Sequence, residues 1–76
     1  MIDLDLTGRH PATQQIARWF DFAHLPPAQR EVSRHCAVLA ELVIEDLPDG
    51  PELTTGLRKL LEAKDCFVRA SLDGQP

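Results

Sequence analysis

The chain has 76 residues, which is enough for one small domain. Its composition, 43% hydrophobic and 26% charged residues, is that of a globular protein and excludes wholesale disorder. Twelve acidic against eight basic side chains give a net charge of −4, which argues against sequence-independent binding of DNA or RNA. No apolar run approaches the ~20 residues of a membrane span, and no signal-peptide core is visible. We therefore expect a cytosolic protein that has no membrane or nucleic-acid partner.

The two ends of the chain look different from its middle. Residues 1–9 alternate apolar and acidic side chains, which is the period of a strand, but no second strand is visible to pair with it. We therefore expect an extended arm over 1–9 and a frayed tail over 73–76, with one helical domain between them.

A short helix is predicted near residues 12–22. Pro11 suits the first turn of such a helix, and Leu25 precedes two prolines, where the α conformation is disfavoured. Three of the four aromatic residues of the chain lie in or beside this helix. They either cap the core or include a stacking platform for a planar ligand: Trp19, Phe20 and Phe22.

A second helix is predicted over residues 27–46. Its apolar residues recur at steps of four and three, which is typical of a helix packed against an antiparallel neighbour. These residues are Val32, Cys36, Leu39, Val43 and Leu47. The opposite face, which carries Arg34, is charged and is solvated by default.

A third helix is predicted over residues 51–71. Asp49 is the expected N-cap, and Glu52 lies at the N3 position of a capping box. Its leucines repeat at the same spacing as those of the second helix. The predicted fold is therefore all-α, an antiparallel helical hairpin preceded by a short helix.

The apolar seam of the third helix is interrupted by Lys64 and Asp65. Because an unpaired buried charge costs several kcal/mol, these residues reach solvent, pair with each other or face something polar. The last alternative makes them candidates for the lining of a pocket between subunits.

The sequence carries no sign of catalysis or of metal binding. Cys36 and Cys66 are most simply small core residues, and a disulfide between them does not fit the register of the hairpin. The cysteines and histidines show no metal-ligand spacing, and no nucleophile or phosphate-loop motif is present. We expect no enzyme, no metal and no cofactor.

The apolar surface predicted for the hairpin exceeds what one seam can cover, which indicates a homo-oligomer. The residues that carry this prediction are Trp19, Phe20, Ile44 and Leu61.

The stretch from Phe22 to Leu72 resembles the helical-hairpin domain of the phage anti-CBASS and anti-Thoeris "sponge" proteins, which sequester cyclic-nucleotide immune signals. The shared pattern is Phe22-Ala-His-Leu25 entering a helix, Leu39-Ala40 in its seam, a short polar turn, and a last helix that ends in alanine-rich sequence and Arg69.

The resemblance implies a hexamer with ligand pockets between protomers, which binds cyclic di- or trinucleotides or cyclic ADP-ribose isomers in the cytosol of the host cell without catalysis. By resemblance, Phe22 stacks a base and Arg69 lies near a phosphate. The position at which some members place a phosphate-contacting lysine is Ala37 here, and Arg34 is the nearest replacement. The alternative hypothesis is a helical adaptor that binds a protein partner.

Overall fold

The computed structural model describes residues 6–73, and these residues form three α-helices and one short 3-10 helix. The helices are α1 (Pro11–Ala17), its 3-10 extension (Arg18–Phe20), α2 (Pro27–Asp46) and α3 (Pro51–Asp73). No strand occurs among the described residues, and the predicted all-α class is confirmed. Parts of the predicted arm and tail, residues 1–5 and 74–76, lie outside the described residues.

Proline and local capping set the helix boundaries. Pro11 and Pro27 each occupy the first turn of their helix, where a missing N–H costs nothing. The ring nitrogen Nδ1 of His10 accepts a hydrogen bond from the backbone N–H of Ala12 at 3.0 Å. The first helix ends at Phe20 rather than near residue 22, because Asp21 has extended backbone angles.

Asp49 does not cap α3, so the predicted capping box is wrong. The first bond of that helix runs from the backbone N–H of Thr54 to the carbonyl of Gly50, which places Gly50 at the N-cap position. Pro51 is then the first helical residue, and Glu52 is the second rather than the third.

The Asp49 carboxylate instead joins the N-terminal segment to the loop between α2 and α3. Oδ2 accepts from the backbone N–H of His10 at 2.9 Å, and Oδ1 accepts from the Thr13 hydroxyl at 2.9 Å and from Arg9 Nε at 3.1 Å. Arg9 also donates to the carbonyl of Leu47 at 2.9 Å. Residues 9–13 are thereby held against the end of α2.

The core lies where α1 and its 3-10 extension cross the α2–α3 pair. It is formed by Ile16, Ala17, Phe20, Cys36, Ala37, Ala40, Ile44, Leu53 and Leu57. Phe20 and Ile44, which carried part of the predicted oligomer surface, are therefore buried inside the chain. The α2–α3 pair does not need a second copy to cover these two residues, because the first helix already does so.

Candidate functional site

The side of the α2–α3 pair that α1 leaves uncovered carries an open apolar depression of about 600 Å³. Its lining is Val32, His35, Cys36, Leu39, Leu60, Phe67, Ala70 and Ser71. Residues from the start of α2 and from the end of α3 share this depression. Phe67 is 53% exposed within it.

A second depression of about 230 Å³ continues the first toward the α2–α3 loop. Leu39 and Leu60 line both depressions, so together they form one surface along the two helices, which we call the α2–α3 groove. The further residues that line the second depression are Val43, Leu47, Glu52, Leu53, Gly56 and Leu57.

A seven-residue repeat on α3 underlies the groove. Leu53, Leu60 and Phe67 are seven residues apart. Gly56, Ala63 and Ala70 repeat with the same period on the neighbouring strip of the helix. A period of seven is typical of a helix that packs along its length on other helices, and small residues permit close approach. This repeat was the sequence signal that could have found the groove.

Of the predicted ligand-binding residues, Phe22 and Arg34 are already engaged within the chain. Phe22 is half-buried and packs against the core. Arg34 forms two hydrogen bonds to the carboxylate of Glu31, at 2.6 and 3.3 Å. The bond from Arg34 lowers the pKa of Glu31, and the same bond raises the pKa of Arg34. Arg34 would have to exchange one anion for another to bind a phosphate.

Lys64 and Asp65 are close to each other but are not equally exposed. Lys64 Nζ donates to the carbonyl of Trp19 at 3.0 Å and lies 3.8 Å from Asp65 Oδ1. The Lys64 side chain is 13% exposed, whereas that of Asp65 is 55% exposed. Lys64 therefore satisfies the carbonyl of Trp19 in the 3-10 helix, and Asp65 partly offsets its charge.

Arg69 is exposed near the end of α3, where its Nη2 donates to the Cys66 sulfur at 3.3 Å. Sulfur is a weak acceptor, so this contact leaves the guanidinium available to an anion. Arg69 follows Lys64 by five positions, which turns their side chains about 140° apart around the helix. Within residues 6–73, the fold does not bring these two cations onto one face.

The two cysteines have different environments, so only one of them is the core residue that we expected. Cys36 is buried and Cys66 is exposed. Burial raises the pKa of the Cys36 thiol, and the charge of Lys64 acts in the opposite direction. A thiol with a raised pKa is a poor nucleophile at neutral pH, and thus Cys36 offers no support for covalent catalysis.

Two other kinds of site find no support in the described residues. These residues contain no group of three or more His, Cys, Asp or Glu side chains placed to hold a metal ion. None of their helices combines the length and apolarity that crossing a membrane requires.

Comparison with known proteins found no family model, no curated protein and no solved structure that matches this chain.

Proposed function

We propose that the chain is a non-catalytic ligand-sequestering protein of phage origin, built on an antiparallel hairpin of α2 and α3. Copies associate through the α2–α3 groove and form pockets between them. The ligand class, cyclic di- or trinucleotides or cyclic ADP-ribose isomers, follows from the resemblance of residues 22–72 to the sponge proteins. The protein then acts in the cytosol of the host cell by binding immune signals and withholding them.

The observation that carries this proposal is the uncovered α2–α3 groove. Three large apolar side chains that line it are about half exposed: Leu39, Leu47 and Phe67. A continuous apolar surface of this kind on a small chain usually marks an interface. The seven-residue repeat of α3 supports another helix pair as the occupant.

Arg69 supports an anionic ligand at the edge of such an assembly. Among the three predicted cations, Arg34 contacts Glu31 and Lys64 contacts Trp19 and Asp65, whereas Arg69 contacts only a sulfur within residues 6–73. A guanidinium binds two phosphate oxygens at once, which an ammonium cannot do.

The direction of Arg69 favours a pocket shared between copies. Arg69 follows Phe67 by two residues, so the two side chains project about 200° apart around α3. One chain therefore does not place the exposed ring in the groove beside this guanidinium. A ligand that needs both a ring and an arginine would take them from different copies.

The experiment is calorimetric titration of the intact protein with a panel of cyclic dinucleotides, cyclic trinucleotides and cyclic ADP-ribose isomers. We expect at least one tight binder, and we expect both Arg69→Lys and Arg69→Ala to weaken it about tenfold or more, because one charge-assisted bond contributes ~1.5–3 kcal/mol. Arg30→Ala, which removes an exposed arginine from α2, is the matched control and should bind as the parent does.

Two results of this titration would contradict the proposal. A parent protein that binds no member of the panel would remove the sequestering function. Unchanged affinity in both Arg69 variants, with a ligand that the parent binds, would remove Arg69 from the site.

The same groove is compatible with the alternative function, a helical adaptor. An amphipathic helix of another protein could lie in it and bury the same apolar side chains. An adaptor is expected to remain a monomer without its partner and to bind no cyclic nucleotide. A monomeric mass together with a silent titration would therefore favour the adaptor.

A further inference from the structure

A separate cleft lies between α1 and α3, away from the α2–α3 groove. It has a volume of about 250 Å³ and is lined by Ala12, Gln15, Ile16, Trp19, Thr54, Arg58 and Leu61. We call it the Trp19 cleft. Arg58 follows the groove residue Gly56 by two positions, so the two residues point about 200° apart around α3.

Trp19 is the most exposed large apolar side chain among the described residues, with 57% of its surface in solvent. Its backbone is nevertheless held in place. Its carbonyl accepts a hydrogen bond from Lys64 at 3.0 Å, and the next residue, Phe20, is fully buried in the core. An indole presented from an anchored backbone loses little freedom when a planar ring stacks on it.

Three cations lie near Trp19 in a chain that has an excess of acidic residues. The Arg18 guanidinium carbon lies 5.5 Å from the centroid of the indole, and Arg58 lines the cleft. Lys64 adds a third charge at the Trp19 carbonyl, partly offset by Asp65. The cleft therefore combines the exposed indole of Trp19 with Arg58, and Arg18 lies over the same indole without lining the cleft. Within residues 6–73, neither arginine has an anionic partner.

The chemistry of the lining selects a class of ligand. A planar ring can stack on an indole, and guanidinium groups bind phosphate in a bidentate manner. Gln15 offers both a donor and an acceptor to the edge of a base. Since small-molecule pockets usually measure about 300–1,000 Å³, a cleft of this size takes one base rather than two.

We propose that the Trp19 cleft binds a purine nucleoside monophosphate. The purine stacks on the indole face that Arg18 does not cover, and its phosphate contacts Arg58. This site requires neither the association of chains through the α2–α3 groove nor a cyclic ligand, so it stands or falls independently of the proposed sequestering function.

The test uses the intrinsic fluorescence of the protein, because Trp19 is its one tryptophan and the chain has no tyrosine. The full chain is titrated with adenosine 5′-monophosphate, with adenosine and with inorganic phosphate, and free N-acetyltryptophanamide corrects for absorption by the ligand. We expect saturable quenching by the monophosphate, about tenfold or more weaker binding of adenosine, and no quenching by phosphate alone. Quenching no greater than that of the free indole would overturn the proposal, and so would equal affinity for adenosine and its monophosphate.

A pair of variants distinguishes a specific phosphate contact of Arg58 from a general attraction of the phosphate to the cations of α3. Arg58→Gln should weaken binding of the monophosphate about tenfold and leave the weak binding of adenosine unchanged. Lys59→Gln removes the adjacent exposed cation of α3 and should have no effect. Equal losses in the two variants would overturn the proposal. Circular dichroism of both variants verifies that they are folded.

Arg69→Ala distinguishes this inference from the proposed function. It should leave the quenching by adenosine monophosphate unchanged even where it abolishes binding of a cyclic nucleotide. Loss of monophosphate binding in Arg69→Ala would move the site away from the Trp19 cleft and contradict the inference. A protein that binds the monophosphate but no cyclic nucleotide would retain this site and lose the sequestering function.

Discussion

The two faces of the α2–α3 pair differ in what covers them. On one face, α1 and its 3-10 extension pack on the pair, and Phe20 and Ile44 are buried together in the core. On the other face, Leu39 and Phe67 remain about half exposed along the α2–α3 groove. Both faces are apolar in sequence, so apolarity alone does not decide which of them the chain covers for itself.

Polar contacts between residues far apart in the sequence hold the first helix on one of the two faces. Asp49 holds residues 9–13 against the α2–α3 loop, and Lys64 holds the carbonyl of Trp19 against α3. Together they fasten both ends of the first helix to the same face. Among the described residues, no such contact crosses the groove.

Truncation of two adjacent aromatic residues that differ in burial should affect stability very differently. Phe20→Ala should lower the free energy of unfolding by about 3–5 kcal/mol, because it leaves a cavity in the core. Trp19→Ala, whose indole is mostly in solvent, should cost less than about 1 kcal/mol. Urea unfolding followed by circular dichroism measures both values. Similar losses would mean that the first helix does not cover the core as described.

The Asp49 contacts should make stability depend on pH. The hydrogen bond from the backbone of His10, with further contributions from Thr13 and Arg9, lowers the pKa of Asp49 below its ordinary value of 3.8. The stabilisation is therefore complete above about pH 4 and is lost as the pH falls through the lowered pKa.

The matching variant is Asp49→Asn, which keeps the shape of the side chain. It should lower the melting temperature at pH 7 and flatten the decline of the melting temperature on acidification. Melting curves at a series of pH values make the comparison with the parent. An equally steep acid decline in the variant would show that Asp49 does not fasten the first helix.

Lys64 should stabilise the other end of the first helix. Lys64→Met removes the donor to the carbonyl of Trp19 and should cost about 0.5–1.5 kcal/mol. It should also raise the pKa of the Cys36 thiol further, because the charge of Lys64 opposes the effect of burial. The pH dependence of alkylation in a Cys66→Ser background measures this pKa. Lys59→Met is the control, and an unchanged Cys36 profile in Lys64→Met would contradict the proximity of the two groups.

The smallest expected effect concerns Ser33 within the covered face. Its hydroxyl is fully buried and finds no hydrogen-bond partner among residues 6–73. Ser33→Ala should therefore be neutral or raise the free energy of unfolding by up to about 1 kcal/mol, since a buried unpaired polar group is costly. Urea unfolding tests it. A clear loss of stability would mean that the hydroxyl has a partner in solution.

The helices were predictable from the sequence, because their signals are local. Prolines mark the starts of α2 and α3, and residues 27–46 form a helix as predicted. The cap of α3 was not predictable in this way. Asp49 suits an N-cap by its local sequence, but Arg9, His10 and Thr13, about forty residues away, bind its carboxylate instead.

The candidate site was less predictable than the fold, because exposure depends on tertiary packing. The cluster of aromatic residues near residue 20 was visible in the sequence. Which ring is buried depends on the 3-10 turn, which places Phe20 in the core and leaves Trp19 outside. The predicted cations lie on the two long helices, Arg34 on α2 and the other two on α3. Each nevertheless has a different hydrogen-bond partner, which the sequence did not indicate: Glu31 for Arg34, the Trp19 carbonyl for Lys64 and the Cys66 sulfur for Arg69.

We propose that the α2–α3 groove is left open for other copies of this chain. Sedimentation velocity of the intact protein at micromolar concentration tests it most directly. We expect a mass that is a multiple of the 8.5 kDa chain, and we expect Leu39→Glu, which places a charge in the groove, to sediment as a folded monomer. A parent protein that sediments at 8.5 kDa would contradict the claim.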